Sequence, residues 1–213
     1  MAKTNMVITI GRQYGSGGRE IGRRLASRLE IPYYDKELLA EASKDSGICE
    51  ELFENNDEKP TRSFLYSLVT GIQTHGTPSS MYMDMPLNHR IFLAQFDTIR
   101  RIAGSGPCVV VGRCADYVLR DLDHVVNVFL KADMEHRKER AMERGADLGR
   151  AEEIVRRHDK ERAAYYNYYA TTTRGDVNNY DLCLDTGRIG YDGAVEMIIE
   201  YVRRREEMLG GKA

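Results

Sequence analysis

The sequence predicts an α/β fold in three layers, with a parallel sheet packed between two layers of helices. Continuous apolar runs recur along the chain, as in strands that are buried on both faces. Helix-patterned segments separate most of these runs, and such alternation is typical of a parallel sheet. A glycine-rich turn joins the first apolar run to the first helix. Together these three observations favour one sheet covered by helices on both faces.

Short apolar runs, several of them rich in β-branched residues, predict five strands. They cover 6–10, 31–34, 108–113, 124–132 and 180–186. Apolar residues at helical spacing and long charged segments predict the helices. They begin at Arg19 and Asp35 and then cover 87–103, 134–145, 150–169 and 190–208. Residues 46–86 show the weakest pattern, and we expect mobile helices there instead of a second domain.

The composition is that of an ordinary soluble protein. Of 213 residues, 42% are hydrophobic and 30% are charged, and the net charge is −2. A chain so nearly neutral is not expected to bind nucleic acid through its overall charge. No apolar run approaches the length that spans a bilayer, so no membrane partner is expected. The length suits a single domain with a buried core, which we predict for 1–213.

The cysteines and histidines predict no metal site. None of the four cysteines forms a close CxxC pair, and the five histidines lack paired ligand spacing. Cys108 and Cys183 lie in apolar runs and are expected to be small core residues. A reducing, cytoplasmic location is the expectation that follows.

The most informative segment is the stretch GRQYGSGGREIG between the first strand and the first helix. Phosphate binding requires several backbone N–H groups that point to one place, and glycines allow the chain to curl that tightly. The helix that follows adds its positive amino-terminal end. The segment therefore predicts a phosphate-binding loop with Gly15, Ser16, Gly17 and Gly18 around the phosphates. A glycine-rich turn that binds no ligand is the alternative.

The loop departs from the usual pattern GxxxxGK[ST] at its charged positions. Gly18 stands where the phosphate-binding lysine is usual, and Arg12 stands where the first glycine is usual. Glu20 takes the place of the magnesium-binding threonine of GKGT loops, which leaves Ser16 as the nearest hydroxyl. The missing charge is expected from Arg12 and Arg19, because a guanidinium can bridge two phosphate oxygens. Any Mg²⁺ is expected to arrive with the nucleotide phosphates.

Four stretches together resemble the cytidylate kinase-like family. They are ITIGRQYGSGGREIG, PYYDKEL, VVVGRCAD, and VFLKADMEHRKERAMER continuing into EEIVRRHDKERAAYYNYY. The resemblance spans nearly the whole chain and implies a P-loop kinase fold with ATP as the phosphate donor. It also implies a mobile acceptor-side insertion, 46–90 here, and a lid-like helical segment, 146–176.

The resemblance also implies two acceptor-binding residues. Arg113, which follows Gly112, corresponds to an arginine that holds the acceptor phosphate, although a structural arginine paired with Asp116 is the alternative. Asp35 corresponds to the aspartate that opens the acceptor-side helix. The acid that usually precedes the glycine–arginine pair is Val111 here, and the serine and arginine that usually follow the aspartate are unmatched. Specificity for cytosine is therefore weakly supported.

The run 150–162 is charged and helical, and a solvated helix face is its usual explanation. The resemblance instead implies a lid that brings cations over the transferring phosphoryl group when it closes. Arg157 and Arg162 are the predicted lid cations, and Asp159 is expected to orient them on the acceptor side. A tyrosine cluster follows, for which packing between helices or across a dimer is favoured over stacking on a base. Its members are Tyr165, Tyr166, Tyr168 and Tyr169.

The sequence thus predicts an ATP-dependent phosphotransferase for a nucleoside monophosphate or another small acceptor. Positioning and charge neutralisation supply most of the catalysis in such reactions. Three alternatives stay open: a nucleotide-binding protein without turnover, a kinase for a non-nucleotide acceptor, and a module that binds RNA through basic helices. A homo-oligomer formed through the methionine-rich middle segment is also compatible with the sequence.

Overall fold

The strands form where the apolar runs predict them. The computed structural model describes residues 4–35 and 87–210, and within these ranges five parallel strands make one sheet. They are β1 (Val7–Arg12), β2 (Tyr33–Tyr34), β3 (Val109–Val111), β4 (Val125–Lys131) and β5 (Leu182–Asp185). Their order across the sheet is β2-β3-β1-β4-β5. In the central strand β1, Ile8 is paired with Val109 on one side and with Val126 on the other.

Six α-helices accompany the sheet in the described residues. They are α1 (Gly18–Leu29), α2 (Leu87–Ser105), α3 (Ala115–Val118), α4 (Met134–Met142), α5 (Ala151–Tyr169) and α6 (Thr186–Gly210). The sequence pattern predicts all of them except the four-residue α3. Gly190, with a φ of 70°, interrupts α6 near its start. The helix predicted from Asp35 and most of the predicted insertion 46–90 lie outside the described residues.

The described helices include no candidate transmembrane segment. Within residues 4–35 and 87–210, no helix is both long and apolar enough to cross a bilayer.

Apolar side chains on the two faces of the sheet form separate cores. On one face, α1 and α6 pack on alternate residues of the inner strands, among them Ile8, Val111 and Val128. On the other face, α2 and α3 cover Val7 and Val110. A parallel sheet with helices on both faces is the three-layer α/β fold that the sequence predicts, so that prediction is confirmed.

The two cysteines expected in the core differ in their surroundings. Cys108 is buried next to β3, as expected, whereas Cys183 is exposed, and the expectation for it is wrong. The reason is the position of β5 at the edge of the sheet. Successive side chains of a strand point to opposite faces, so Leu184 packs in the core under α6 while Cys183 faces solvent. An apolar run in an edge strand does not require both faces to be buried.

Candidate functional site

The glycine-rich segment forms a tight loop between the end of β1 and the start of α1. Gly15 and Gly17 have φ values of +83° and +80°, a left-handed conformation that favours glycine. A Cβ atom on Gly15 would lie 2.7 Å from the main-chain oxygen of Arg137. A Cβ atom on Gly17 would lie 2.4 Å from the ring of Tyr191. Both backbone conformation and close packing therefore require glycine at these two positions.

Hydrogen bonds hold the loop against the sheet. The main-chain N–H of Gln13 donates to the carbonyl of Leu130 at 2.9 Å, which continues the pairing of β1 with β4. The hydroxyl of Ser16 donates to the carbonyl of Gln13 at 2.9 Å, and the hydroxyl of Thr186 donates to the carbonyl of Ser16 at 2.9 Å. Ser16 is fully buried, and its hydroxyl stabilises the loop in this arrangement.

A cavity of about 490 Å³ opens over the loop and the first turn of α1. Guanidinium groups dominate its wall and come from β1, α1, α4 with the turn after it, and α5. They belong to Arg12, Arg19, Arg23, Arg140, Arg144 and Arg162. Glu20 and Glu161 are the carboxylates among its lining residues. This surplus of cations, together with the positive end of α1, suits a ligand with several negative charges.

A second, smaller cavity of about 30 Å³ lies at the carboxyl end of β3. Arg113 lines it from the turn after β3, and Arg174 lines it from the loop after α5. The two cavities share Arg12 and Arg162 in their walls. In open parallel sheets, ligands bind at the carboxyl ends of the strands, which is the edge that carries both cavities.

The turn after β3 brings Arg113 into the protein interior. Gly112, Arg113 and Cys114 have φ values of 81°, 59° and 55°, so three consecutive residues are left-handed. Such strained backbone is frequent at functional sites. Arg113 is only 2% exposed. Asp116 is the partner of Arg113 in the alternative explanation of that arginine. Its carboxylate accepts a 2.7 Å hydrogen bond from the hydroxyl of Tyr166, and burial raises the pKa of this carboxyl group.

Asp159 connects helix α5 to the phosphate loop. Its carboxylate accepts a hydrogen bond from the main-chain N–H of Tyr14 at 2.8 Å and one from Arg137 at 2.5 Å. Arg174 lies 3.6 Å from the same carboxylate and also donates to the main-chain oxygen of Arg12. The structure therefore places Asp159 against the loop and beside Arg137 and Arg174, two arginines that the sequence does not single out. The sequence analysis predicts instead that Asp159 orients Arg157 and Arg162.

The two predicted lid cations lie in different surroundings. Arg162 lines both cavities, and its guanidinium carbon lies 5.6 Å from the centre of the Tyr14 ring. Arg157 is about half exposed, lies 4.0 Å from Glu161, and lines neither cavity. In the described arrangement α5 therefore presents one of the two predicted cations to the site.

Arg19 and Asp35 meet between α1 and the end of β2. The Nε atom of Arg19 lies 2.5 Å from a carboxylate oxygen of Asp35, and Asp35 is only 1% exposed. A buried carboxylate paired with a guanidinium is held in a defined place, because breaking the pair would leave a charge in the interior. The pair joins the first turn of α1 to the end of β2.

The tyrosine cluster packs α5 against α2. The ring of Tyr169 stacks on Phe92 with centroids 4.0 Å apart, and the hydroxyl of Tyr165 donates to Gln95 at 3.1 Å. Tyr166 is buried beside Asp116. These contacts favour the packing explanation for the cluster over stacking on a base.

Tyr14 and His158 form a second aromatic contact, inside the larger cavity. Their ring centres lie 4.4 Å apart with nearly parallel planes, 16° from each other. Partial burial lowers the pKa of His158, and the nearby Arg162 and Arg157 act in the same direction against Glu161. The neutral form of the imidazole is therefore favoured beside the phosphate loop.

Several arginines of the site are not found by the sequence reasoning. Arg137, Arg140 and Arg144 have spacings of three and four residues on and just after α4, and that spacing could have indicated a common face. Arg174 stands in a loop and carries no comparable signal. Its role depends on a fold that brings it next to Arg12.

Solved structures of two kinases share the fold of this chain. A gluconokinase from Sinorhizobium meliloti superposes with a TM-score of 0.54 at 16% identity, covering 100% of this chain and 99% of the other. A shikimate kinase from Bacteroides thetaiotaomicron gives a TM-score of 0.53 at 13% identity, covering 93% of this chain and 99% of the other. At such low identities the similarity establishes the fold alone.

The chain belongs to the cytidylate kinase-like family, whose family model matches residues 7–188. A cytidylate kinase from Methanopyrus kandleri is 27% identical in an alignment 203 residues long that covers 90% of this chain and 90% of the other. An uncharacterized protein of known crystal structure from Eubacterium ventriosum shares 30% identity and a TM-score of 0.70, covering 93% of this chain and 98% of the other. These matches confirm the predicted family. They also confirm the prediction that the chain is a phosphotransferase enzyme of the kinase type.

Proposed function

We propose that this chain transfers the γ-phosphoryl group of ATP, bound with Mg²⁺, to a small acceptor such as a nucleoside monophosphate. The observation that carries the proposal is the pair of cavities that share Arg12 and Arg162. The larger cavity, over Gly15, Gly17 and Gly18, would hold the triphosphate. The smaller one, beside Arg113, would hold the accepting group. The shared guanidinium groups would then stabilise the charge of the phosphoryl group in transit.

An acceptor that carries a phosphate fits this arrangement well. Its oxygen forms the new bond to the γ-phosphorus while the bond to the β-phosphate oxygen breaks, and ADP leaves with that electron pair. A phosphate oxygen is already ionised at neutral pH, so the step needs no general base. The smaller cavity provides cations for such a group through Arg113, Arg162 and Arg174.

Magnesium would be held mainly by the phosphates. No group of three or more His, Cys, Asp or Glu side chains in residues 4–35 and 87–210 is placed to hold a metal ion. The residues present fit an Mg²⁺ that binds phosphate oxygens and keeps several waters. Glu20 and Glu161, which line the cavity, would accept hydrogen bonds from those waters. The ion would supply neutralisation of phosphate charge.

The test is ADP release with Mg²⁺ over a panel of nucleoside monophosphates and small hydroxyl compounds. Turnover is expected with at least one acceptor, and turnover of CMP or dCMP alone would assign cytidylate kinase activity. A variant with Arg12→Ala and Arg19→Ala together should lose ATP affinity and turnover, whereas Arg203→Ala, which removes an exposed arginine paired with Glu200, should lose neither. Unchanged affinity and turnover in the double variant would refute the assignment of these two arginines.

A nucleotide-binding protein without turnover is the second candidate. It is favoured by Gly18 and Glu20, which replace the lysine and the threonine of the usual loop. This candidate requires nucleotide binding in calorimetry and no ADP with any acceptor of the panel.

A further inference from the structure

We infer that Arg12 and Gly18 are an exchanged pair. In this exchange Arg12 replaces the lysine of the usual phosphate loop, and position 18 is glycine so that the Arg12 side chain can pass over it. The inference rests on the proposed function and deepens it, because it assigns the charge for the triphosphate to Arg12 and gives Arg19 a separate role.

The first observation is steric. A Cβ atom on Gly18 would lie 2.9 Å from Cβ and 2.9 Å from Cγ of Arg12. Real Cβ atoms essentially never make contacts shorter than 3.0 Å. The atoms in question are the first two of the Arg12 side chain: the backbone fixes the position of Cβ, and the χ1 rotamer sets that of Cγ. Rotating the distant guanidinium would therefore not relieve the overlap with Cβ, and a side chain at position 18 would force the backbone of one of the two segments to shift.

The second observation excludes a positive φ as the reason for this glycine. Gly18 is the first residue of α1 and is not among the glycines with positive φ, unlike Gly15 and Gly17. Its backbone conformation is one that any residue can adopt. The contact with Arg12 is then a reason for glycine at this position, beside the close approach of a phosphate to the loop backbone.

The usual pattern connects the two positions. In GxxxxGK[ST], aligned on this loop, the first glycine falls at position 12 and the lysine at position 18. This chain has arginine and glycine at the same two places. One contact, between residues 12 and 18, therefore explains both departures from the usual pattern. The Arg12 cation extends from the end of β1, whereas the usual lysine extends from the start of the helix.

The environments of the two candidate arginines separate their roles. Arg12 is 7% exposed, lines both cavities, and has its main-chain oxygen bonded to Arg174. Arg19 is paired with the buried Asp35 at 2.5 Å. Arg19 also lines the larger cavity, but its guanidinium is already engaged by Asp35 at the end of β2. Arg19 is therefore a positioning residue, and Arg12 is the group that contacts the triphosphate.

The experiment is a swap that restores the usual pattern. The variants are Arg12→Gly, Gly18→Lys and the double variant, and the probes are Mg-ATP and inorganic tripolyphosphate, measured by calorimetry. Loss of a charge-assisted contact should weaken tripolyphosphate binding of Arg12→Gly by about tenfold to a hundredfold. Gly18→Lys should also bind weakly because of the overlap. The double variant should recover most of the affinity, since the lysine then has the vacated space.

The variant Gly18→Ala adds volume at position 18 without adding a charge, so it tests the steric part of the inference alone. It should lower the melting temperature when Arg12 is present and have little effect in the Arg12→Gly background. A folded double variant that binds tripolyphosphate no better than Arg12→Gly would overturn the inference, and so would Gly18→Lys with wild-type affinity. If the double variant does not fold, an equal effect of Gly18→Ala in both backgrounds would overturn it. Wild-type binding without turnover contradicts only the proposed function, whereas no wild-type binding to either probe contradicts both.

Discussion

The main-chain N–H of Tyr14 in the phosphate loop donates a 2.8 Å hydrogen bond to the carboxylate of Asp159 on helix α5. The same carboxylate accepts from Arg137 and lies near Arg174. Hydrogen bonds with an ionised partner are the stronger ones in proteins. One side chain therefore couples helix α5 to the loop that would hold the donor phosphates.

Replacing Asp159 by asparagine tests this coupling. The amide can still accept from Tyr14, but it cannot balance the charges of Arg137 and Arg174. The free energy of unfolding should fall by about 2 kcal/mol in denaturant titrations, as for other hydrogen bonds to charged groups. The control Glu152→Gln breaks an exposed pair on the same helix and should cost less than about 0.5 kcal/mol. Similar losses in both variants would show that Asp159 is only a surface charge.

Gly17→Ala should destabilise the protein and abolish nucleotide binding. The new methyl group would meet the Tyr191 ring at 2.4 Å, and the φ of +80° is strained for alanine. A loss of about 2 kcal/mol is expected from strain and overpacking. Gly104→Ala is the matched control, because that position lies within α2 with open space around it, and alanine there should stabilise the protein by about 0.5 kcal/mol. The idea fails if thermal melts rank the two variants in the opposite order.

Arg162→Ala and Arg157→Ala should differ in their effect on turnover. Arg162 lines both cavities, whereas Arg157 lies beside Glu161 outside them. Loss of a cation that stabilises the phosphoryl group should lower kcat by about a hundredfold. Arg157→Ala should change kcat less than threefold, which is about 0.7 kcal/mol. If steady-state kinetics show the larger loss for Arg157→Ala, α5 adopts another arrangement during catalysis.

The lowered pKa of His158 makes part of the stability depend on pH. Its neutral form is favoured in the folded state relative to the usual value of 6.5, mainly through burial. The stabilising contribution is therefore complete above that value and is lost as the pH falls through the lower folded-state pKa. Between about pH 7.5 and pH 5, the free energy of unfolding of the wild type should decrease more than that of His158→Gln. Parallel curves for the two proteins would contradict this assignment.

Cys108 and Cys183 should react with a thiol reagent at very different rates. Burial raises the pKa of Cys108 to about 12, so its reactive thiolate is scarce at neutral pH. Cys183 is exposed on β5. A maleimide should therefore modify the peptide with Cys183 in the native protein and reach Cys108 only after denaturation, as followed by mass spectrometry. Equal native rates would mean that the neighbourhood of β3 opens readily.

The sequence predicts the sheet and the loop because both have local signatures. Continuous apolar runs such as 108–113 mark buried parallel strands, and glycines mark the positive φ values at Gly15 and Gly17. The error at Cys183 arises because an apolar run does not reveal that its strand lies at the sheet edge.

The partners of the loop could not be predicted in the same way. Arg174 reaches Arg12 and Asp159 from a distant loop, and no motif marks it. The contact between Arg12 and Gly18 is invisible in the sequence as well, although both departures from the usual loop pattern are visible. Which side chains share a space is decided by tertiary structure, and local patterns do not record it.

Transfer of labelled phosphate from ATP is the most direct measurement of the central claim. The protein would be incubated with Mg²⁺, ATP labelled at the γ-phosphate, and each nucleoside monophosphate or small hydroxyl compound in turn. The proposed function predicts label in at least one acceptor, with a large loss of transfer in Arg162→Ala. Nucleotide binding in calorimetry with no label in any acceptor would contradict phosphoryl transfer and leave a protein that only binds its nucleotide.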